Sequence, residues 1–363
     1  MNTAADDRFL SIIAPSLDDK RIHPVRRLEP GAVHRTRAVL SHASGKGANA
    51  ARAAAALGGR VQLCAFAGPR LRALLEEQFA YNGITLAVAD TVQETRSCIT
   101  VLEEDGRATE FVQEALPVGE DERTEFTRLA LRTAAQDGVV LMAGSLPPGL
   151  AEDFYVVIAN QAYGHGARVV IDAHRFPLRA ALAGHPDVVK INREELIATV
   201  RDPLANAFPG VAGAHAGSTA RADSTTKVDR NTDPGSTANA GNSEADAQPE
   251  GTDDERHTDT AALAHTIIEW GARSVVVTDG GKPVLLLKEA EEAEYLSVPE
   301  VDVVNAVGSG DAMSGALSLA LLRGMPLRDA VRFGIAAGSA NAATLLPGDV
   351  DSSTVERLYD AIP

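Results

Sequence analysis

The sequence predicts an α/β protein in which a mostly parallel sheet is covered by helices on both faces. Short apolar runs alternate with helical patterns along most of the chain, and this alternation is typical of parallel sheets. The 363 residues are 45% hydrophobic and 23% charged, which is enough apolar material for one large core. We therefore predict a single domain over residues 1–363.

The strands of this sheet are predicted where β-branched and other apolar residues run together and end at a turn. They are Arg8 to Ala14, Val61 to Ala67, Gly138 to Ala143, Arg168 to Asp172, Ser274 to Val277, Val284 to Lys288 and Ala293 to Pro299. A further strand is expected at the apolar run Val301 to Val304, which precedes a glycine-rich turn.

Helices are predicted between these runs, where apolar residues recur at helical spacing. They are an alanine-rich helix after Lys46, then Arg70 to Tyr81, Glu120 to Ala134, Tyr155 to Tyr163, Phe176 to Ala183, Asp259 to Trp270, Ala312 to Arg323 and a helical region from Pro326 to Ala343. Their ends carry the expected signals, such as Asn82-Gly83 and Gly324.

A smaller group of strands does not follow this alternation. Residues Ile22 to Leu40 mix basic residues with short apolar alternation around Pro30-Gly31, which favours hairpin strands over a helix. Further along, Thr95 to Val101 and Thr109 to Gln113 flank Asp105-Gly106, a dipeptide that favours a hairpin turn. These runs predict a small second sheet.

Residues 203–256 differ from the rest of the chain in composition. They are rich in Ala, Gly, Ser, Thr, Asp and Asn and show no hydrophobic period. Because such a segment cannot bury enough apolar surface to offset the entropy of ordering, we predict a poorly ordered insertion in a surface loop. A regulatory role for the segment stays open beside a passive one.

Composition excludes several classes of protein. The net charge is -16 and no basic patch occurs, so nucleic acid is not expected as a partner. Cys64 and Cys98 are too few for a disulfide framework or a zinc set and are expected to be small buried residues. The absence of a signal pattern and of a membrane-spanning apolar run predicts a cytoplasmic protein without a membrane partner.

The first candidate site is the stretch Asp302 to Gly315, where Gly308-Ser309-Gly310-Asp311 leads into a helix. Glycines at such a turn let backbone amides approach a ligand, and the first amides of a helix favour phosphate. A phosphate bound at this turn would repel the Asp311 carboxylate, so the presence of Asp311 there indicates a specific role. Two interpretations stay open on this stretch alone: a base that takes the proton of an attacking hydroxyl, or a helix cap.

A second glycine turn, Ser44-Gly45-Lys46-Gly47-Ala48-Asn49, opens the alanine-rich helix. Neither turn is a Walker P-loop, because G-x-x-x-x-G-K-[ST] does not occur. Together and in this order, the turns resemble the two signatures of the PfkB (ribokinase-like) carbohydrate kinases, GGKGxNxA and GAGD. The hexapeptide Gly144 to Gly149, GSLPPG, resembles the 1-phosphofructokinase and tagatose-6-phosphate kinase branch. Ser44 departs from the first signature, and Ala14 replaces the asparagine of the family's N-P-x-x-D loop.

The resemblance covers essentially the whole chain except the insertion. It implies a ribokinase-like three-layer α/β/α sandwich with a small β-sheet lid, formed by residues 19–43 and 92–114. It also implies transfer of the γ-phosphoryl group of ATP, with Mg2+ as cofactor, to a sugar hydroxyl. Asp311 would be the base, and Gly308, Ser309 and Gly310 would present amides to the transferred group.

On the sugar side, the resemblance implies one set of residues that orients the sugar and another that selects a phosphorylated one. The orienting set comprises Asp18, Gly45 and Asn49, and the selecting set comprises Lys46, Arg96 and Ser145. Arginine suits the second task because its planar fork binds two phosphate oxygens at once. Arg35 lies where phosphosugar members carry a basic residue, although a solvated surface residue explains it equally well.

On the nucleotide side, the resemblance rests on the pattern N-x-x-E and on two glycine-containing segments. The residues expected to contact ATP are Lys190, Asn192, Glu195, Thr278, Gly280, Gly281, Gly338 and Asn341. Glu195 would hold Mg2+ through water, because magnesium keeps much of its hydration shell. An acidic first turn of a helix is the structural alternative for Glu195.

The activity implied most directly is phosphorylation of fructose 1-phosphate to fructose 1,6-bisphosphate. The alternatives are tagatose-6-phosphate or 6-phosphofructokinase activity, a kinase for an unphosphorylated sugar, and a non-catalytic sugar- or nucleotide-binding relative. A homodimer formed through the lid is a further expectation.

Overall fold

A computed structural model describes residues 8–79, 83–202 and 253–363 of the chain. These residues form a large sheet between two layers of helices and a separate small sheet, which confirms the predicted α/β/α sandwich with a second sheet. The predicted insertion at 203–256 lies almost entirely outside the described residues.

The strands follow the predicted apolar runs closely. They are β1 Leu10–Ala14, β2 Asp18–Val25, β3 Leu40–Ser44, β4 Val61–Ala67, β5 Ile84–Asp90, β6 Ser97–Glu103, β7 Ala108–Val112, β8 Val139–Ala143, β9 Arg168–Asp172, β10 Val188–Asn192, β11 Ser274–Thr278, β12 Val284–Lys288 and β13 Glu294–Leu296. Nine of them form the main sheet, in the order β13-β12-β11-β10-β9-β8-β1-β4-β5. Neighbours from β5 to β11 are parallel, whereas β12 and β13 form an antiparallel edge.

The helices cover both faces of this sheet. They are α1 Lys46–Ala56, α2 Pro69–Phe79, α3 Glu120–Ala134, α4 Phe154–Gly164, α5 Arg175–Leu182, α6 Arg193–Val200, α7 Asp253–Glu269, α8 Ser309–Leu322, α9 Leu327–Ala342 and α10 Ser352–Ala361. One apolar cluster holds side chains of α1, α2, α8, α9 and α10, and the other holds those of α3 to α7. Adjacent strand residues such as Ile12 and Ile13 point into opposite clusters, because side chains alternate along a strand.

The small sheet, called the lid below, has the strand order β3-β2-β6-β7. β2 pairs in parallel with β6, and the predicted hairpin at Asp105-Gly106 joins β6 to β7 in antiparallel register. A backbone hydrogen bond from Asp19 to Arg96 O, 3.0 Å, holds the base of the lid together. The lid therefore rises directly from the loop that follows β1.

The topology gathers the candidate residues at one edge of the main sheet. β1 has β4 on one side and β8 on the other, so the order in which strands are added to the sheet reverses at β1. In such sheets the carboxyl ends of the strands border a crevice where ligands bind. The residues that end or follow β1, β9 and β10 include Asp18, Asp172 and Asn192.

The strand predicted at Val301 to Val304 is wrong. This segment has no strand pairing; the amide of Val304 donates instead to Ala342 O, at the end of α9, over 2.8 Å. Val303 and Val304 are 54% and 43% exposed. The run looked like a strand because apolar residues follow one another, but its packing partner is a helix end and not a sheet.

Other boundaries also differ from the predictions. β5, β10 and α10 were not predicted, and α7 begins at Asp253, six residues before the predicted Asp259. The region from Pro326 forms one continuous helix, α9, through Gly334 and Gly338. Both glycines face α8, since a Cβ at Gly338 would lie 3.0 Å from Ser309 O.

Two smaller expectations can be compared with the described residues. Cys64 and Cys98 are free and buried, as predicted. In the described part of the chain, every helix is too short or too polar to cross a membrane.

Candidate active site

The second glycine turn forms the start of α8. Gly308 is the N-cap of the helix and has a φ of 85°, a conformation that glycine adopts without strain. The amide of Val307 donates to Asn305 Oδ1 and that of Ser309 to Ala306 O. The amides of Gly308, Gly310 and Asp311 have no backbone acceptor among the described residues, so they can bind a ligand at the positive end of the helix dipole.

Asp311 lies in the first turn of α8 and is not its cap, because that position belongs to Gly308. Its Oδ2 accepts a hydrogen bond from Asn49 Nδ2 over 2.8 Å, which joins the two glycine turns. Burial, together with the nearby charge of Asp172, raises the pKa of Asp311 to about 6, against the opposing effects of Lys46 and Asn49. A half-buried carboxyl group with this pKa is ionised near neutral pH and still basic enough to accept a proton.

Lys46 holds two carboxylates at the start of α1. Its Nζ lies 2.7 Å from Asp172 Oδ1 and 2.8 Å from Glu195 Oε1. Burial would lower the pKa of Lys46, but Asp172 and Glu195 raise it above the usual value, so the amine stays charged. The sequence predicted that this lysine selects a sugar phosphate, and that role stays a prediction; in the structure Lys46 lies beside Asp172 and lines the larger cavity described below.

Asp172 is a central residue that the sequence analysis did not single out. It ends β9, is fully buried, and also accepts hydrogen bonds from Lys190 Nζ over 3.2 Å and from Ser314 Oγ over 2.5 Å. Burial would raise the pKa of Asp172, yet Lys190 and Lys46 hold it below the usual range. The available signal was its place, since a carboxylate at the carboxyl end of a buried strand borders the crevice.

Glu195 and Asn192 start α6 as a capping box. Asn192 Oδ1 accepts from the amide of Glu195 over 2.8 Å, and Glu195 Oε2 accepts from the amide of Asn192 over 3.3 Å. Burial would raise the pKa of Glu195, but His174 and the charges of Lys46 and Lys190 hold it well below its usual range. Glu195 thus combines the structural role with an ionised carboxylate at the cavity.

A cavity of about 670 Å³ opens between the two glycine turns and the end of the sheet. This volume is typical of a small-molecule site. Lys46, which was predicted on the sugar side, lines this cavity. The predicted nucleotide-side and catalytic residues that also line it are Lys190, Asn192, Glu195, Thr278, Gly280, Gly281, Gly308, Ser309, Gly310, Asp311 and Gly338. Lys190 reaches the turn itself, because a Cβ at Gly310 would lie 2.6 Å from its Nζ.

The sugar-side residues gather on the other side of Asn49. Gly45 has a φ of 98°, and a Cβ there would lie 3.3 Å from Asp18 Oδ2. The guanidinium of Arg96 lies 3.7 Å from the same oxygen. Asp18 Oδ1 is buried and has no hydrogen-bond partner in the described part of the chain. Burial raises the pKa of Asp18, although Lys20 and Arg96 oppose this. An unsatisfied buried oxygen of this kind calls for a ligand hydroxyl.

A second, small cavity of about 50 Å³ adjoins Arg96. It is bordered by the loop after β1, by residues 115–118 and by Pro147 of the GSLPPG segment. Ser145 lies in that segment, is half-buried, and lines neither cavity. Arg96 borders the small cavity, whereas Lys46 lines the larger one.

Two of the predicted residues do not join the site. Arg35 is exposed in the irregular segment between β2 and β3 and lines neither cavity. Asn341 is fully buried, and its Nδ2 donates to Leu346 O and Asp349 O over 3.0 and 3.1 Å. Its task is to hold the loop after α9, which the short sequence motif could not reveal.

Comparison with known proteins agrees with this geometry. The profile of the pfkB family carbohydrate kinases matches residues 14–227 and 236–350. The chain belongs to the PfkB family of carbohydrate kinases. Its relatives include the ATP-dependent 6-phosphofructokinase isozyme 2 of Escherichia coli K12, which is 28% identical over 338 residues, covering 93% of this chain and 92% of the relative.

Solved structures place this PfkB kinase in the ribokinase-like fold. The phosphofructokinase-2 of Escherichia coli in complex with fructose-6-phosphate superposes with a TM-score of 0.72, at 25% identity, over 98% of this chain and 99% of that one. The ribokinase of Arabidopsis thaliana, complexed with ribose and ATP, gives 0.64 at 16% identity, over 96% and 98%. A protein from Thermotoga maritima described as a possible 1-phosphofructokinase gives 0.73 at 19% identity, over 98% of each chain. The predicted fold is confirmed.

Proposed function

We propose that this PfkB kinase transfers the γ-phosphoryl group of ATP to a ketohexose monophosphate. The observation that carries the proposal is the position of Asp311. Its carboxylate borders the cavity of about 670 Å³ and accepts a hydrogen bond from Asn49. Asn49 follows the first glycine turn, which lies against the pair Asp18 and Arg96. A base between a nucleotide site and a hydroxyl-binding site can activate a hydroxyl for attack on the terminal phosphate.

In this mechanism Asp18 orients the sugar and Asp311 takes the proton of its attacking hydroxyl. The amides of Gly308 and Gly310 face the transferred phosphoryl group and stabilise the charge on its oxygens. Lys46 and Lys190 supply positive charge on the nucleotide side. Asp172 forms ion pairs with both amines and so holds the two positive charges in place.

The donor set around Glu195 fits magnesium as an outer partner. The described residues contain no cluster of three or more His, Cys, Asp or Glu that could enclose a metal. Glu195 is ionised and lines the cavity, so it would hold a hydrated Mg2+ through water. Mg2+ supplies neutralisation of phosphate charge when it is bound.

We infer a phosphorylated substrate from Arg96 and Ser145. Arg96 borders the small cavity and its side chain is only 19% exposed, and Ser145 lies in the segment whose Pro147 borders the same cavity. The sequence pattern favoured fructose 1-phosphate. The 28% identical relative is a 6-phosphofructokinase, and this similarity moves fructose 6-phosphate ahead of fructose 1-phosphate as the proposed substrate.

The test is a comparison of kcat/KM for five acceptors. They are fructose 6-phosphate, fructose 1-phosphate, tagatose 6-phosphate, fructose and ribose. We expect a clear preference for a phosphorylated ketohexose. Preference for a free sugar would leave only the broader carbohydrate kinase, and no ATP consumption with any acceptor would favour a binding protein.

Arg96→Ala makes this test residue-specific. We expect a loss of ~2–5 kcal/mol of transition-state binding for the phosphosugar, as for truncating one partner of a buried charge pair, with little change in the KM for ATP. Arg21→Ala is the matched control, because Arg21 also lies 3.7 Å from an aspartate, Asp19, on the next position of the same strand. An equal loss in both variants, or for all acceptors, would contradict phosphate recognition by Arg96.

A further inference from the structure

The side chain of Asn49 bridges the two glycine turns, and its amide fits there in one orientation. Nδ2 donates to Asp311 Oδ2 over 2.8 Å. Oδ1 accepts from Ser44 Oγ over 3.2 Å and from Arg52 Nη1 over 3.3 Å. A flipped amide would place Oδ1 against the carboxylate and Nδ2 against two donors, since the amide oxygen accepts and the nitrogen donates. The donors Ser44 and Arg52 therefore favour the same end of Asn49 towards Asp311 as the acceptor-only carboxylate does, and they hold the amide from its other side.

Arg52 of α1 is a partly buried arginine whose partners are carbonyl oxygens and an aromatic ring. Its guanidinium donates to Pro347 O over 2.7 Å and to Ala43 O over 2.8 Å, and it lies 5.2 Å from the ring centre of Phe79. Among the described residues no carboxylate lies within ion-pair distance of it, and burial lowers its pKa to about 10 against the more distant charge of Asp349. A desolvated cation without a carboxylate in direct contact is costly, so charge pairing alone does not explain its place.

The contacts of Arg52 explain its place better. The fork is planar and its donors point in fixed directions, so one guanidinium can hold several acceptors in a set geometry. Pro347 packs against the second glycine turn, since a Cβ at Gly308 would lie 2.5 Å from its Cβ. Ala43 precedes the first glycine turn. Arg52 thus joins both turns through Pro347 and Ala43 and touches the residue between them, Asn49.

We propose that Arg52, assisted by Ser44, is a positioning residue that fixes the Asn49 amide with its nitrogen towards Asp311. The inference rests on the proposed function in so far as Asp311 is the base. It adds a task for two residues that the family signatures do not explain: Ser44 stands where the signature has glycine, and Arg52 lies beyond the signature's last position.

The consequence for Asp311 follows from the groups that face it. These are Asp172, which disfavours its charge, and Lys46, Lys190 and the Asn49 amide, which favour it. Donation by the amide stabilises the ionised carboxylate. Loss of the fixed amide orientation should therefore raise the pKa of Asp311 and leave less of the base ionised at a given pH.

The experiment compares Arg52→Met, Ser44→Ala and Asn49→Ala with wild type. One readout is the pKa of the Asp311 carboxyl group, followed by carbon NMR and assigned by its absence in Asp311→Asn. The second is kcat. We expect Arg52→Met to raise that pKa as Asn49→Ala does, to cost about 10–100-fold in kcat, the range for groups that orient a functional side chain, and to add little in the double variant.

Arg323→Met is the matched control, because Arg323 also donates to a carbonyl of the same helix region, Leu57 O, over 2.8 Å. It should change stability without moving the pKa of Asp311. The proposal is overturned if Arg52→Met and Ser44→Ala both leave that pKa unchanged. Ser44→Ala keeps the test decisive if Arg52→Met does not fold. Full turnover in Asp311→Asn would refute the proposed base, whereas the NMR titration would still decide the role of Arg52.

Discussion

Three carboxylates of the site, Asp172, Glu195 and Asp311, differ in pKa because their surroundings differ. Lysines hold the pKa values of the first two low against burial. Burial and the charge of Asp172 raise the pKa of Asp311 to about 6, and the opposing effects of Lys46, Lys190 and the Asn49 amide are weaker. Sequence motifs name such residues, but only their neighbours divide the fixed anions from the proton acceptor.

The first prediction concerns Asp311 itself. Asp311→Asn should lower kcat by ~10²–10⁴-fold, the range for a lost general base, while ATP still binds. In wild type, kcat should fall below a pH of about 6, because protonated Asp311 cannot accept the proton. Stopped assays across pH, with ATP binding by calorimetry, measure both. Near-normal turnover in the variant would refute the assignment.

The same residue gives a stability effect of known sign. The folded-state pKa of Asp311 is about 6, above the ordinary 3.8, so ionisation costs stability and the cost grows as pH rises through this window. Asp311→Asn removes that cost, and its melting temperature at pH 7 should equal or exceed that of wild type. A lower value would show that the carboxylate stabilises the fold.

The second prediction separates two tasks for Lys46. Lys46→Met leaves Asp172 and Glu195 without their shared cation, so we expect kcat to fall by about 10²–10³-fold, as for one lost charge-stabilising donor, and ATP binding to weaken. The KM for the sugar phosphate should change little. Lys20→Met, which removes the lid ion pair with Glu110, is the control. A dominant effect on the KM for the sugar phosphate would instead support the role predicted from sequence.

At the scale of elements, the site depends on how closely α1 and α8 approach. A Cβ at Gly315 of α8 would lie 2.2 Å from Ala50 O of α1, so this glycine allows the two helix backbones to touch. On the other side of α1, a Cβ at Gly47 would lie 2.1 Å from the Ala14 Cβ, so Gly47 allows α1 to approach β1. The approach brings Asn49 of one helix to Asp311 of the other, so small residues in the helices set the catalytic geometry.

The third prediction tests this contact. Gly315→Ala should destabilise the protein by ~1–3 kcal/mol through overpacking, because the obstructing atom is backbone that cannot rotate away. It should also lower kcat by moving Asn49 relative to Asp311. Gly164→Ala in α4 meets nothing within 4 Å and serves as the control. Chemical denaturation measures the stability of the two variants, and steady-state assays measure their kcat. Equal stability of the two variants would contradict the close contact.

At the scale of the whole molecule, the lid presents apolar side chains to solvent. Ile99 and Phe111 lie opposite each other in the register of β6 and β7 and are 37% and 61% exposed. Val112 on the same edge strand is 53% exposed. An exposed edge strand with apolar neighbours is a template for pairing with another chain.

The fourth prediction is therefore a homodimer through the lid. Sedimentation should give the mass of two chains, and Phe111→Asp should shift the protein towards one chain. Val157→Asp, at a position 41% exposed on α4, should leave the mass unchanged. A monomeric wild type, or equal loss in both variants, would contradict pairing through this face.

Local sequence signals were enough to predict the alternation of strands and helices, the two glycine turns and the hairpin of the lid. These features depend on local periodicity and on turn residues, which act over a few neighbouring positions. Where the same local signal was ambiguous, prediction failed: the run Val301 to Val304 resembles a strand but packs on α9. The half-buried β5 was missed for the same reason.

The pairing of charged groups in the site depends on long-range packing. Lys46 and Asp172 are 126 residues apart in the chain, and Asn49 and Asp311 are 262 apart, so no local pattern relates them. Their pairing depends on the strand order and on the close contact of α1 with α8. The same contact selects the orientation of the Asn49 amide, which the residue type leaves free. Sequence therefore supplies the reactive groups, and packing assigns their partners and hence their protonation.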